Sequence, residues 1–127
     1  MKPNNNGKQF NFEKLEVWQN SIDLTVAIYK LTDSFPVDEK YNLTSQIRRA
    51  CVSVSSNIAE GNYRITNNDK GHFMTMAYGS LMEVINQLII ANRLNYVSDE
   101  KLNYLRDDIQ LIANQINKLK KYYIERK

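Results

Sequence analysis

The chain has 127 residues, and its 17 Lys and Arg against 14 Asp and Glu give a formal net charge of +3. Its length predicts one domain with a real core, and its few turn-forming residues, 4 Gly and 2 Pro, disfavour an all-β sandwich or barrel. A single Cys and a single His exclude a disulfide framework, a cysteine-rich zinc site and a multi-histidine metal site.

The polar residues 1–11 are predicted to form a flexible tail, and residues 12–127 the folded domain. A first helix is expected at about 12–32. Its apolar side chains recur at three- and four-residue steps, and they are Leu15, Trp18, Ile22, Val26 and Tyr29, widened by Leu24, Ile28 and Leu31. Phe35-Pro36 should end this segment, because proline restricts the preceding residue and has no N–H to donate. The connection 33–42 can hold a helical turn.

A second helix is predicted at about 43–61, with an apolar stripe that consists of Leu43, Ile47, Ala50, Cys51, Val54 and Ile58. Gly61 stands where a left-handed C-terminal cap is expected. A third helix is predicted at about 68–95, with Asn67 or Asn68 as its N-cap. Its apolar face is Phe73, Met76, Ala77, Ser80, Leu81, Val84, Leu88 and Ala91.

A fourth helix is predicted at about 98–124, with Ser98 as the N-cap and acidic residues in its first turn. Its stripe is Leu102, Leu105, Ile109, Ile112, Ile116 and Leu119. The short loops 61–67 and 95–98 require antiparallel neighbours. The sequence therefore predicts an all-α fold, an antiparallel up-and-down four-helix bundle.

A narrow polar line flanks the apolar stripe of the second helix, and it consists of Gln46, Arg49, Ser53, Asn57 and Glu60. Side chains beside a core stripe are half buried and need partners. Two interpretations stay open: a solvated helix shoulder, or a polar seam that faces another helix or subunit. Arg48 points nearly the opposite way and is predicted to be an exposed cation. In the third helix, Gly79 favours close helix packing over sequence drift, and Glu83 follows one turn later.

No catalytic residue, cofactor or metal site is predicted. The sequence contains no Gly-rich nucleotide loop, no Walker lysine motif and no HExxH, and a bundle di-iron site needs Glu three residues before His, where Asp69 precedes His72. Cys51 lies in the apolar sector and is interpreted as a small core residue. An enzyme that uses a Glu60–Glu83 carboxylate pair is the weakest of three functional hypotheses.

Basic residues suggest contact with RNA or DNA. The predicted nucleic-acid contacts are Arg48, Arg64, Lys70, Arg93, Lys118, Lys120 and Lys121, with Tyr122 and Tyr123 interleaved near the C-terminus. The alternative is a cation-rich helix end that the helix dipole favours. The start of the chain has no apolar signal region and no run of 18 apolar residues occurs, so a cytoplasmic protein without membrane contact is expected.

Several motifs in the chain are distinctive when taken together. They are Phe12-Glu13-x-Leu15-x-Val17-Trp18-Gln19, Phe35-Pro36, Tyr41-x-Leu43-Thr44-x-Gln46-Ile47-Arg48-Arg49-Ala50, Ser53, Ser56-Asn57-Ile58-Ala59-Glu60-Gly61 and Ala77-Tyr78-Gly79-Ser80-Leu81-x-Glu83. With these motifs the sequence resembles the four-helix-bundle family of 23S rRNA intervening-sequence proteins. The resemblance covers roughly residues 10–122. Ser55 replaces a proline that is more usual in the family, so the second helix should be more continuous.

The resemblance implies an up-and-down bundle that assembles as a homopentamer. It also implies kinship with the accessory variability proteins of diversity-generating retroelements, which bind nucleic acid and associate with a reverse transcriptase. The family's signature positions favour a structural or subunit-contact role for a polar network of Gln46, Arg49, Ser53, Asn57, Glu60, Gly79 and Glu83. The leading hypothesis is a non-enzymatic homo-oligomer that binds structured RNA or a nucleic acid–protein complex. A protein-binding scaffold without nucleic-acid contact is the second.

Overall fold

A computed structural model describes residues 7–126, and in that range the chain is an antiparallel four-helix bundle without β-strands. The helices are α1 (Glu16–Thr32), α2 (Leu43–Asn62), α3 (Asn67–Arg93) and α4 (Asp99–Glu125). One short 3-10 helix, Asn11–Lys14, precedes α1, and a second, Val37–Glu39, lies in the α1–α2 connection. The predicted fold class is confirmed, and α2 is continuous across Ser55.

The core consists of one buried stripe from each helix. All six predicted apolar positions of α2 from Leu43 to Ile58 are buried, and so are five of the six on α4, with Leu119 half-buried. The prediction for α1 is partly wrong. Val26 and Tyr29 are exposed, whereas the face through Leu24 and Ile28 is buried. Because α1 is apolar over much of its circumference, only its packing against α2 and α4 selects the buried face.

The first helix starts later than expected. The 3-10 helix Asn11–Lys14 ends at Leu15, whose extended backbone (φ −74°, ψ 124°) separates it from α1. The predicted tail falls partly on residues 1–6, which lie outside the described range. Residues 10 and 11 are held in place, since the Asn11 backbone N–H donates to the Tyr63 hydroxyl at 2.7 Å and its side-chain amide donates to Asn62 at 3.1 Å.

Helix ends follow the predicted cap at one place and differ at others. The Ser98 hydroxyl accepts a hydrogen bond from the Lys101 backbone N–H, as an N-cap does. The N-cap of α3 is Thr66, one residue before the two predicted asparagines, and its hydroxyl accepts from the Asp69 N–H. Past the end of α3, Asn95 takes a left-handed conformation with φ 65°.

Gly61 is not a left-handed cap but lies buried inside the last turn of α2. A Cβ atom built there would lie 2.7 Å from the Phe73 Cβ and 2.9 Å from the Met74 Cε. The glycine therefore permits close approach between the end of α2 and the start of α3. The prediction that Gly79 permits close helix packing is wrong, since a Cβ atom there would meet nothing within 4 Å.

By length and composition alone, α3 is apolar enough to cross a membrane. The central helix of a water-soluble bundle has the same composition, because it must bury one face along its whole length. Here α3 buries Met74, Leu81 and Leu88 against its neighbours and carries Glu83 near its middle. The absence of membrane contact stays a prediction.

Candidate functional site

The antiparallel order of the helices brings distant basic residues to one end of the bundle, which we call the basic pole. The start of α3 and the end of α4 meet there, since the Asn67 side-chain amide donates to the Arg126 carbonyl at 2.7 Å. Six cations within residues 60–73 and 118–126 define the pole, namely Arg64, Lys70, Lys118, Lys120, Lys121 and Arg126. These two segments hold only three carboxylates, on Glu60, Asp69 and Glu125.

The opposite end of the bundle has no such excess of positive charge. Residues 30–49 and 93–101, which form it, carry six cations and five carboxylates. At the basic pole, the N-terminal residues 7–16 add two charges of each sign and leave the excess unchanged. The positive charge is therefore concentrated at one end, which a net charge of +3 for the whole chain does not reveal.

Two of the cations at the basic pole contact aromatic rings and polar groups of the chain. The Arg64 guanidinium lies 5.0 Å from the centre of the Phe73 ring and 3.8 Å from a carboxylate oxygen of Glu60. The Lys70 ammonium donates to the Asn62 carbonyl and lies 5.2 Å from the centre of the Tyr123 ring. Partial burial, and then the nearby Arg126 charge, lower the pKa of Lys70.

The remaining predicted cations of the pole make fewer contacts with the rest of the chain. Lys118 and Lys121 are exposed and make no ion pair within residues 7–126, while Lys120 is half-buried beside Gly71. Exposed lysines that are not paired with carboxylates keep their full charge available to a phosphate.

Asn62 connects three segments of the basic pole through hydrogen bonds, although no motif in the sequence predicted this role. Asn62 accepts from the Asn11 side chain and donates to the Tyr123 hydroxyl at 2.9 Å, so it links the N-terminal turn, α2 and α4. Tyr63 was also missed as a pole residue. Its aromatic character was visible in the sequence, but its position at the pole depends on a contact with Asn11, 52 residues away in the chain.

The predicted contacts Arg48 and Arg93 lie at the opposite end of the bundle. Arg48 is not the exposed cation that was predicted, since its side chain is only 28% exposed. Its Nε donates to the Thr32 hydroxyl at 2.8 Å, and its terminal nitrogen pairs with the Asp33 carboxylate at 3.0 Å. The guanidinium also lies 4.5 Å from the centre of the Tyr29 ring. These contacts fasten α2 to the end of α1, whereas Arg93 is exposed.

A polar groove runs between α2 and α3 on the outside of the bundle. Its floor is a pair of hydroxyls, Ser53 and Ser80, whose oxygens are 2.8 Å apart. The Asn57 side-chain amide donates to the Ser53 carbonyl and hydroxyl at 2.9 and 3.1 Å. The predicted polar line thus forms, at its centre, a hydrogen-bonded seam between two helices of the same chain.

The outer part of this groove has unpaired groups. It encloses about 390 Å³ and is lined by Gln46, Arg49, Ala50, Ser53, Ser80, Glu83 and Gln87. The exposed Arg49 and Glu83 make no ion pair within residues 7–126. Gln87 is 8% exposed, and its buried Oε1 accepts no hydrogen bond in that range. An unpaired buried carbonyl oxygen is costly, so a group that donates to the Gln87 Oε1 would stabilise this side chain.

The two carboxylates of the enzyme hypothesis lie far apart. Because Ser53 faces Ser80 and the helices are antiparallel, Glu60 and Glu83 are displaced in opposite directions along the bundle. Ten residues of helix rise separate them by roughly 15 Å. Glu60 lies beside Arg64 at the basic pole, and Glu83 lines the groove.

Residues 7–126 contain no group of three or more His, Cys, Asp and Glu side chains arranged to hold a metal ion. Cys51 is fully buried, as the core interpretation predicts. Loss of solvation on burial raises the pKa of its thiol to about 11, against a weaker opposing effect of the Thr25 hydroxyl. A thiol of that pKa stays protonated at neutral pH and is a poor nucleophile.

Comparison with known proteins places the chain in one family. None of the curated proteins compared matches it. It is similar in fold to a protein of unknown function from the S23 ribosomal protein family of Bacteroides thetaiotaomicron, with 23% identity and a TM-score of 0.69 over 87% of this chain and 99% of that one. The model of the 23S rRNA-intervening sequence protein family matches residues 13–118, most of the chain. The chain therefore belongs to the family of 23S rRNA-intervening sequence proteins.

Proposed function

We propose that this protein is a non-enzymatic, cytoplasmic homo-oligomer that binds structured RNA through its basic pole. The observation that carries the proposal is that two basic segments lie together at one end of the bundle. They contain six cations but only three carboxylates. Nucleic-acid affinity depends mainly on cations that replace the counterions of phosphates. A compact group of cations on a rigid scaffold suits that task better than the same charges spread over the surface.

The family supports an RNA-related role, since its description refers to 23S rRNA. In an oligomer with rotational symmetry, every copy presents the same pole. The small positive excess of one chain is then repeated around the axis, and a structured RNA can contact several copies at once.

A filter-binding titration of the wild-type chain against an RNA hairpin, at increasing salt, tests RNA binding. We expect the logarithm of the affinity to fall linearly with the logarithm of the salt concentration. The double variant Lys118→Gln, Lys121→Gln should bind more weakly and reduce the salt slope by about 2, about one for each phosphate contact.

The matched control removes two cations from the opposite end, Lys30→Gln with Lys40→Gln, and should keep the affinity and the salt slope of the wild type. Because all four side chains are exposed and free of ion pairs within residues 7–126, neither double variant should unfold. Absence of binding at low salt, or binding without a salt slope, would refute the proposal.

We place the contact between copies at the polar groove. Three of its groups, Arg49, Glu83 and the Oε1 of Gln87, have no partner within residues 7–126, and groups of both signs suit a contact between charged surfaces. The family resemblance implies five copies.

Light scattering after size-exclusion chromatography measures the mass of the assembly. Arg49→Glu should lower that mass, because it reverses a charge in the groove. The control Arg106→Glu reverses an equally exposed charge on α4 and should leave the mass unchanged. A wild-type mass of one chain at micromolar concentration would contradict the assembly.

A protein-binding scaffold is the second candidate function. It is favoured by three apolar side chains that are exposed on α3, Met76, Met82 and Ile90. For a member akin to the retroelement accessory proteins, the partner would be a reverse transcriptase. Recovery of a protein partner in a pull-down that survives RNase treatment would favour the scaffold, and loss of the partner on RNase treatment would count against it.

A further inference from the structure

We propose that the basic pole binds unpaired nucleotides of RNA, whose bases stack on the exposed rings of Tyr63 and Tyr122. This inference rests on the proposed RNA binding and narrows it. A base within a duplex is already stacked on its neighbours, so a side-chain ring can stack only on a base that is free. Cations alone do not favour single strands in this way.

The pole carries exposed aromatic rings next to its cations. Tyr63 is 53% exposed and precedes Arg64, and Tyr122 is 54% exposed and follows Lys121. Cations that hold the phosphates beside rings that stack the bases are the combination found in proteins that bind single-stranded nucleic acid.

The ring of Tyr63 is fixed before any ligand arrives. Its hydroxyl accepts a hydrogen bond from the Asn11 backbone N–H at 2.7 Å. The rings of Phe10 and Phe12 lie nearly perpendicular to it, with centroids 6.3 and 6.1 Å away. A ring that is held at its hydroxyl and by its neighbours loses little conformational freedom when a base stacks on it.

Tyr122 presents a ring together with a planar cation. The guanidinium of Arg126 lies 5.2 Å from the centre of the Tyr122 ring, and the Arg126 carbonyl accepts from Asn67. Arginine can stack on a base with its plane and pair with a phosphate through its N–H groups. The end of α4 is therefore anchored to the start of α3, and Arg126 and Tyr122 can offer a nucleotide both stacking and phosphate contacts.

Fluorescence anisotropy tests the inference with two probes, a single-stranded RNA and a blunt duplex of the same sequence. We expect the wild-type chain to bind the single strand more tightly. The variant Tyr63→Ala, Tyr122→Ala should lose about 10-fold or more in affinity for the single strand. Its affinity for the duplex should change less than about 3-fold, because phosphate contacts remain.

Two controls separate stacking from folding. Tyr104→Ala removes a ring that is 64% exposed and lies beside Lys101, but that ring stands on α4 away from the pole, so binding should not change. The variant Tyr63→Phe, Tyr122→Phe keeps both rings and should retain most of the affinity. Ultraviolet cross-linking of the wild-type chain to the single strand, mapped by mass spectrometry, should place cross-links at Tyr63 or Tyr122. This test uses only the wild-type chain, so it remains decisive if the alanine variant fails to fold.

The outcomes distinguish this inference from the function on which it rests. If neither RNA binds at low salt, the proposed function fails. If both RNAs bind equally tightly with a salt slope, or if the alanine variant loses both affinities alike, RNA binding stands and stacking is refuted. Cross-links confined to residues away from the pole would also overturn the stacking inference.

Discussion

Replacing single glycines by alanine tests how the helices pack. Gly61, Gly71 and Gly79 all lie within helices, so each substitution brings a gain in helix propensity of up to about 1 kcal/mol, smallest at Gly61 in the last turn of α2. The larger difference between the three sites is the space around the new methyl group. The three variants therefore mainly compare tertiary packing.

The structure ranks the three sites. At Gly61 the new Cβ atom would lie 2.7 Å from the Phe73 Cβ, which cannot move without its backbone, so overpacking of about 1–3 kcal/mol outweighs the propensity gain. At Gly71 it would lie 2.7 Å from the Ile124 Cγ1, and this side chain is half exposed in the last turn of α4, so it can shift toward solvent more easily than the Phe73 Cβ. At Gly79 nothing lies within 4 Å, and the variant should gain about 0.4–1 kcal/mol.

Urea unfolding followed by far-ultraviolet circular dichroism gives the free energies. All chains are compared at one concentration, because assembly adds to apparent stability. Gly79→Ala should be the most stable, Gly71→Ala intermediate, and Gly61→Ala less stable than wild type. A Gly61→Ala chain at least as stable as Gly79→Ala would refute the close approach of α2 and α3.

Two further predictions concern side chains of α2. Arg48→Ala should lower the free energy of unfolding by about 1–3 kcal/mol, because it removes the partner of Thr32 and Asp33. The control Arg106→Ala removes an exposed arginine without an ion pair within residues 7–126 and should stay within about 0.5 kcal/mol. Equal losses would show that Arg48 does not fasten α2 to α1. The thiol of Cys51 has a pKa near the ordinary cysteine value of 9.0 in the unfolded chain and about 11 in the folded chain. The buried, protonated thiol therefore contributes its full stability below about pH 9, and that contribution is lost as the pH rises toward 11. Urea titrations across that range should show stability falling more steeply for the wild type than for Cys51→Ala, and parallel curves would contradict the raised pKa.

Neighbouring residues show where prediction from the sequence stops. Arg48 and Arg49 are both arginines on one helix turn, and the pattern of α2 assigns them to different directions but not to different partners. Arg48 is partly buried because the end of α1, with Thr32 and Asp33, comes to lie beside it. Arg49 stays exposed because no carboxylate within residues 7–126 comes close enough to pair with it. The sequence of α2 alone therefore does not predict which of the two arginines finds a partner.

The sequence by itself determined the four helices and their antiparallel order, because apolar period, the Ser98 cap and loop length act over a few residues. The stripes of α2 and α4 were predictable since each is narrow, whereas the broad apolar surface of α1 left its buried face open. The antiparallel order already places Arg64 and Lys121 at one end, whereas only the tertiary structure decided that Gly61 is crowded and that Gly79 is open. Those properties depend on contacts between residues far apart in the chain, and a local pattern carries no record of them.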